Sequence, residues 1–239
     1  MIAITEDVLS THAGVEAGFY RPPQTGESTP CFAIADPWAW RLKRGLDLFL
    51  VLALALPVGF LTLLLCLLVM GDGGKPVYRH RRLGRGGRMF NCYKIRSMVL
   101  DADSRLQALL DSDHLVREEW SEQFKLKCDP RVTKVGQLLR RTSLDELPQL
   151  WNVLRGDMSF VGPRPIIAAE LEQYGDSAAA YLACVPGISG LWQVSGRSDT
   201  TYEERVRLDT HYARNWSLGL DLRILARTVP AMLARRGVY

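Results

Sequence analysis

Residues 48–70, LFLVLALALPVGFLTLLLCLLVM, contain no charged side chain. As an α-helix this run measures roughly 34 Å, against a bilayer hydrocarbon core of about 30 Å. Core helices of soluble proteins keep a polar stripe, and this stretch has none. The run therefore predicts a membrane-embedded helix. Its flanks complicate a simple crossing. Arg41, Lys43 and Arg44 precede it, and Lys75, Arg79, Arg81, Arg82, Arg85 and Arg88 follow it. Lysine and arginine next to a membrane segment favour the cytoplasmic side, and here both ends ask for that side. Pro57 sits inside the run, where it removes a backbone hydrogen bond and bends a helix. Two topologies follow from these residues: a re-entrant hairpin hinged at Pro57, and a kinked span. The hairpin satisfies both basic clusters, but it must find partners for the freed backbone groups.

The remainder of the chain bounds the function class. Residues 1–37 mix Gly, Pro, Ser, Thr and Glu without periodicity and predict a weakly ordered tail. The tail is not a signal peptide, because Glu6 and Asp7 stand where basic residues belong. The five cysteines, Cys31, Cys66, Cys92, Cys128 and Cys184, lie far apart with no C-x-x-C pair. This spacing argues against a disulfide framework or a structural zinc, and for a reducing compartment. His12, His80, His114 and His211 show no metal-ligand spacing. The basic excess of 30 Lys and Arg over 26 Asp and Glu is concentrated beside the apolar run, which argues for anionic head groups and against nucleic acid.

After the run, VYRHRRLG and RMFNCYKIRSM predict two short strands separated by glycines. Lys94 and Arg96 alternate with apolar residues, so both are assigned to one strand face as candidate phosphate ligands. Residues 101–127 predict one or two solvated helices. In RRTSLDELPQ, residues 140–149, Ser143 and Glu146 match a capping box, which makes Asp145 the second helical residue. A rival register makes Asp145 itself the cap and puts Pro148 in the first turn. Either register sets Asp145 and Glu146 at a helix N-terminus, where the dipole favours their ionised forms. Arg140 and Arg141 stand beside them, and the stiff loop 157–165 presents Arg164 between Pro163 and Pro165. Two adjacent carboxylates among arginines can divide the work of phosphoryl transfer, one as nucleophile and one as a ligand for Mg²⁺.

Together these blocks resemble the bacterial sugar transferases that are monotopic phosphoglycosyl transferases. The resemblance rests on the basic-flanked run with Pro57, YKIRSM (93–98), RRTSLDELPQLWNVLRGDMSFVGPRP (140–165), PGISGLWQVSGR (186–197) and, more weakly, RVRLDTHYARNWSLGLDLRILARTV (205–229). It covers residues 38–239 and implies a mixed α+β, helix-rich cytoplasmic domain at 76–239. That domain would sit on a re-entrant, proline-broken membrane helix at 38–75, with amphipathic interfacial helices. The activity it implies is transfer of a sugar-1-phosphate from a UDP-sugar to undecaprenyl phosphate, with release of UMP. Asp145 would attack phosphorus, and Mg²⁺ would sit with Asp145, Glu146 and Asp209. Arg140 and Arg164 would bind phosphate, while Pro186, Gly187, Gly190, Gln193 and Arg197 would form the nucleotide end. The same resemblance implies the cytoplasmic face of the inner membrane, the short exopolysaccharide-initiating form, galactose or glucose donors, and downstream glycosyltransferases as partners. Oligomeric state stays open. Where some members carry a serine before the hinge proline, this chain has Leu56. The alternatives are a membrane-anchored scaffold whose acids only cap a helix, and a phosphotransferase using a CDP-linked donor. For the C-terminal stretch, with Trp216, Leu220, Leu222, Ile224 and Leu225, an amphipathic segment on the membrane competes with a packed helix.

Overall fold

The computed structural model describes residues 36–123, 126, 128–196 and 200–233. Nearly all of the expected tail, together with Arg197, Arg235 and Arg236, lies outside them. Helix α1 runs over Pro37–Val69. Asp36 caps it by accepting from Trp38 N at 2.9 Å, and Pro37 occupies the first turn, where its missing N–H costs nothing. The helix continues through Pro57. One turn later the Thr62 hydroxyl donates to Val58 O at 2.7 Å, a back-bond that itself favours bending.

Strands β1 (Val77–Leu83) and β2 (Met89–Ile95) form an antiparallel hairpin in which His80 faces Cys92 and Arg82 faces Phe90. Helices α2 (Ala102–Ser112) and α3 (His114–Gln123) follow, and α2 buries none of its residues, as a solvated helix should. Helix α4 (Lys134–Arg141) is capped by Thr133, whose side chain accepts from Gly136 N. A 3₁₀ turn (Leu144–Glu146) leads to α5 (Gln149–Arg155), which ends at Gly156 in the left-handed region. Strand β3 (Ser159–Val161) pairs in parallel with β4 (Gly187–Ser189). Between them lie a 3₁₀ stretch (Ala168–Ser177) and α6 (Ala178–Ala183). Helices α7 (Leu191–Ser195), α8 (Tyr202–Arg214) and α9 (Leu218–Leu233) complete the described chain. The architecture is mixed and helix-rich with two small sheets, as expected.

Helix α1 is long and apolar enough to cross a membrane, and its most apolar 18-residue window is only 6% buried. Leu52, Leu56, Phe60 and Leu63 are exposed, which no water-solvated core helix would tolerate in such a row. Both ends of α1 nevertheless hold the rest of the protein. At one end Lys43 Nζ donates to Asp221 Oδ2 at 2.7 Å and to Tyr212 Oη at 3.1 Å. Asp47 accepts from Ser159 Oγ and Phe160 N, each at 2.9 Å. At the other end Val69 packs with Ile95 and Leu139, and Arg96 donates to Val69 O at 3.1 Å.

Helix α9 bears on the choice left open for the C-terminal stretch. Ile224 is buried in the core, and Trp216, Leu220 and Leu225 pack against it, so these apolar residues face the protein rather than a membrane. Leu222 and Val229 remain exposed.

Candidate active site

The acid pair sits on the 3₁₀ turn between α4 and α5. The chain leaves α4 and reverses within two residues, with Ser143 N donating to Arg140 O at 3.0 Å. That reversal holds Ser143 at φ 56°, the one positive φ on a non-glycine among the described residues. A capping residue needs an extended backbone, so Ser143 makes no side-chain cap. The capping box therefore does not form, although Asp145 is the second residue of the 3₁₀ turn, as that register had it; the register with Asp145 as cap is wrong. Pro148 directly precedes α5, and the acids lie one turn further upstream.

The Glu146 carboxylate meets Lys94 instead of a backbone N–H. Lys94 Nζ donates to Glu146 Oε1 at 2.6 Å and lies 3.9 Å from Asp145 Oδ2. Arg164 Nη1 is 3.8 Å from Glu146 Oε1. Asp145 is 7% exposed. Burial pushes its carboxyl above the usual range and Glu146 adds to this, while Lys94, Arg140 and Arg164 pull it down. Its ionisation is thus held by side-chain cations against burial, rather than by a helix start. Arg140 is placed beside the pair by its Nε, which donates to Ser97 Oγ at 2.9 Å.

The loop carrying Arg164 is tied to the PGISG segment through backbone alone. Ser159 N donates to Pro186 O at 2.8 Å, Gly187 N to Pro163 O at 2.8 Å, and Gly162 N to Ser189 O at 2.9 Å. The Tyr181 hydroxyl lies 3.2 Å from Leu83 O and 3.3 Å from Arg164 O. This crossing accounts for the glycines. A Cβ on Gly187 would lie 2.1 Å from Gly162 N, and one on Gly190 would lie 2.2 Å from Gly162 O. A pocket results, lined by Arg82, Cys92, Lys94, Glu146, Gln149, Arg164, Pro165, Gly187 and Ile188.

Of the residues proposed from sequence, the structure gathers Lys94, Arg140, Asp145, Glu146, Arg164 and Gly187. Pro186 supplies a carbonyl to the crossing, and Gln193 follows on α7. Arg197 lies outside the described residues. Three others do not line this pocket. Arg96 falls just past the end of β2, and its guanidinium bonds the carbonyls of Val69, Lys75 and Met98, so it clasps the end of α1. Arg141 is exposed at the end of α4. Asp209 is fully buried, 2.7 Å from Tyr174 Oη and 4.0 Å from Arg205 Nε, in a network that reaches the pocket through Glu170 and Arg82. Arg82, Cys92 and Gln149 also line the pocket, and no motif in the sequence marks them as site residues. The described residues contain no group of three or more His, Cys, Asp or Glu side chains placed to hold a metal. Asp145 and Glu146 still suit Mg²⁺, which is usually bound by one or two carboxylates with substrate phosphates completing its shell.

Residues 38–235 match the family described as bacterial sugar transferase. The chain belongs to this family. It is 51% identical over 201 residues to a UDP-galactose-lipid carrier transferase of Erwinia amylovora. It is 50% identical over 198 residues to an undecaprenyl-phosphate galactose phosphotransferase of Salmonella typhimurium. Each alignment covers 83% of this chain but 42% of the relative, so the chain spans less than half of their length. Exopolysaccharide production protein ExoY of Sinorhizobium fredii is 46% identical over 222 residues, covering 92% of this chain and 95% of ExoY. The matched family segment contains the acid pair, Lys94, Arg140, Arg164 and the glycine crossing, so family and pocket coincide in the sequence.

Proposed function

We propose that this protein transfers a sugar-1-phosphate from a UDP-sugar to undecaprenyl phosphate and so starts the assembly of a lipid-linked polysaccharide. The observation that carries this reading is the acid pair itself: two adjacent carboxylates held by Lys94 and Arg164 in a cationic pocket beside a membrane helix. The donor is UDP-galactose or UDP-glucose, in keeping with the galactose in the relatives' names.

Asp145 attacks the β-phosphorus of the donor. A phosphorus–oxygen bond to the Asp145 carboxylate forms as the bond to the bridging oxygen breaks, and UMP leaves with that oxygen. The lipid phosphate then attacks the same phosphorus, forms the diphosphate and returns the Asp145 carboxylate. Such in-line displacements depend on positioning and charge neutralisation, which Lys94, Arg140 and Arg164 supply. Glu146, with Asp145, offers oxygens for Mg²⁺, which when bound neutralises charge on the diphosphate. Holding the phosphosugar on Asp145 lets a water-soluble donor and a membrane lipid react in turn.

The same reading places the site at the cytoplasmic face of the inner membrane, with α1 as a re-entrant anchor. Arg44 at one end of α1 donates to Val153 O and Leu154 O, and Arg96 holds Val69 at the other. Both ends thus fasten to one body, which supports the re-entrant reading over a crossing. The hairpin needs a bend, and Pro57 and the Thr62 back-bond are where one would form. Single cysteines near residues 40 and 75, labelled in intact cells with an impermeant reagent, test this. Labelling at one end only refutes the hairpin.

The activity is tested by mixing the protein with Mg²⁺ and UDP-sugars and measuring UMP with and without lipid. UMP and enzyme-bound phosphosugar are expected without lipid, in amounts stoichiometric with enzyme. An Asp145→Asn variant as active as the parent refutes the nucleophile. Turnover of CDP-donors in preference to UDP-donors refutes the donor class, and inertness toward both leaves a scaffold.

A further inference from the structure

We infer that Arg82 is a further ligand for the donor's diphosphate, positioned by Glu170 and, behind it, by Arg205 and Asp209. The inference rests on the sugar-phosphate transfer proposed above. In the β1–β2 register Arg82 faces Phe90, so Arg82, Phe90, Cys92 and Lys94 share one side of the hairpin. Arg82, Cys92 and Lys94 then line the same pocket as Glu146 and Arg164. Glu146 already pairs with Lys94 and Arg164. Burial lowers the pKa of Arg82; the Glu170 carboxylate works against this, and the nearby charge of Arg164 adds to it. Two guanidinium groups that repel across one pocket are an arrangement that a multiply charged anion stabilises.

The contacts that hold Arg82 are long. Nη1 lies 3.4 Å from Glu170 Oε1 and 3.4 Å from Pro165 O, and Nη2 lies 3.1 Å from His80 Nδ1. They aim the guanidinium without saturating it, since strong charged bonds run at about 2.7–2.9 Å. Glu170 is itself locked. Its Oε1 accepts from Ile167 N at 3.1 Å, and its Oε2 faces Arg205 Nη1 at 3.3 Å. Arg205 lies over the rings of Trp192, at 4.8 Å, and Tyr202, at 5.1 Å. Asp209 stands 4.0 Å behind Arg205 and accepts from Tyr174 Oη. The line from Asp209 through Arg205 and Glu170 to Arg82 gives Trp192 and Asp209, both inside the matching blocks, a task that requires no contact with substrate.

The test uses the full chain in detergent, titrated calorimetrically with UDP in the presence of Mg²⁺, alongside UMP-release kinetics. Arg82→Ala is expected to weaken UDP binding by about tenfold or more and to raise KM in step, with a smaller change in kcat. Arg82→Lys, which keeps charge but loses the fork, recovers part of the loss. Glu170→Gln weakens UDP binding on its own but adds less than about twofold in the Arg82→Ala background, because it acts through Arg82. UDP affinity within about twofold of the parent for Arg82→Ala and Arg82→Lys, with unchanged melting temperature, overturns the inference. Should Arg82→Ala fail to fold, Arg82→Lys and Glu170→Gln decide on the same criterion. Additive effects of the two substitutions overturn the relay. A parent that releases UMP while these variants bind UDP normally refutes Arg82 alone, whereas a parent that neither binds UDP nor releases UMP refutes the functional reading beneath it.

Discussion

Gly187→Ala places one methyl group where two backbones cross. The built Cβ lies 2.1 Å from Gly162 N, 2.4 Å from Ser189 O and 2.7 Å from Gly162 Cα. All three atoms are main chain, so no rotamer change relieves the clash. Moving Gly162 from 2.1 Å out to the 3.4 Å of ordinary contact opens the crossing by about 1.3 Å. The three backbone hydrogen bonds there, at 2.8, 2.8 and 2.9 Å, would then exceed bonding distance. At about 1 kcal/mol net for each, the loss is about 3 kcal/mol. For a chain of this size that lowers the melting temperature by about 6–12 °C. Arg164 stands two residues from Gly162 and moves with it, and a shift of about 1 Å in a positioning group costs about 10²-fold in rate. Thermal melts and UMP release measure the two effects. Gly45→Ala is the control, because its Cβ meets nothing within 4 Å and a helical Gly→Ala change is neutral or mildly stabilising. A Gly187→Ala protein that melts within about 2 °C of the parent and keeps at least about half its activity refutes the crossing as the device that sets Arg164.

Three further outcomes are expected. Lys94→Met removes the first of the cations that offset burial at Asp145, so that carboxyl rises further. Less of it is ionised at a given pH, the acid limb of the UMP-release profile moves to higher pH, and the neutral-pH rate falls by about 10²-fold; an unmoved limb contradicts this. Lys43→Met strands the buried Asp221 carboxylate at a cost of about 3–5 kcal/mol, while Lys43→Met with Asp221→Leu recovers most of it, as read from melting temperatures. Burial pushes Asp209 up to about 6. Between about pH 4 and 6 the folded chain therefore keeps a proton that the unfolded chain has released, and the parent loses stability relative to Asp209→Asn as pH rises through that window. Melting both proteins across it checks the sign, and a parent that gains instead contradicts it.

What was legible in the sequence was what short-range pattern determines. The uncharged run, the two strands with Lys94 on one face, and the Arg164 loop all follow from spacing within ten or so residues. Ser143 was misread because its backbone is set by the reversal out of α4, and a left-handed residue cannot cap. Glu146 was misread for a related reason, since an ammonium brought in by β2 outcompetes a backbone N–H. Arg96 failed because alternation lapses one residue after a strand ends. Arg82 looked like one of several membrane-facing cations until the hairpin register put it opposite Phe90. In α9, the 216, 220, 224 spacing fits a protein core as well as it fits a membrane surface, and only Asp221, buried on the same helix beneath Lys43, tells them apart.

The Lys43–Asp221 pair joins residues 178 positions apart. Protein synthesis proceeds at about 5–20 residues per second, so the ammonium emerges roughly 10–35 s before its carboxylate. Throughout that interval Lys43 has no Asp221 to pair with. Arg44 and Asp47 can dock once residues 153–160 are made, so the Lys43 contact is the last of the three to close. A nascent product that stops short of α9 keeps an unpaired charge at the membrane surface, a mark by which an unfinished chain differs from a finished one.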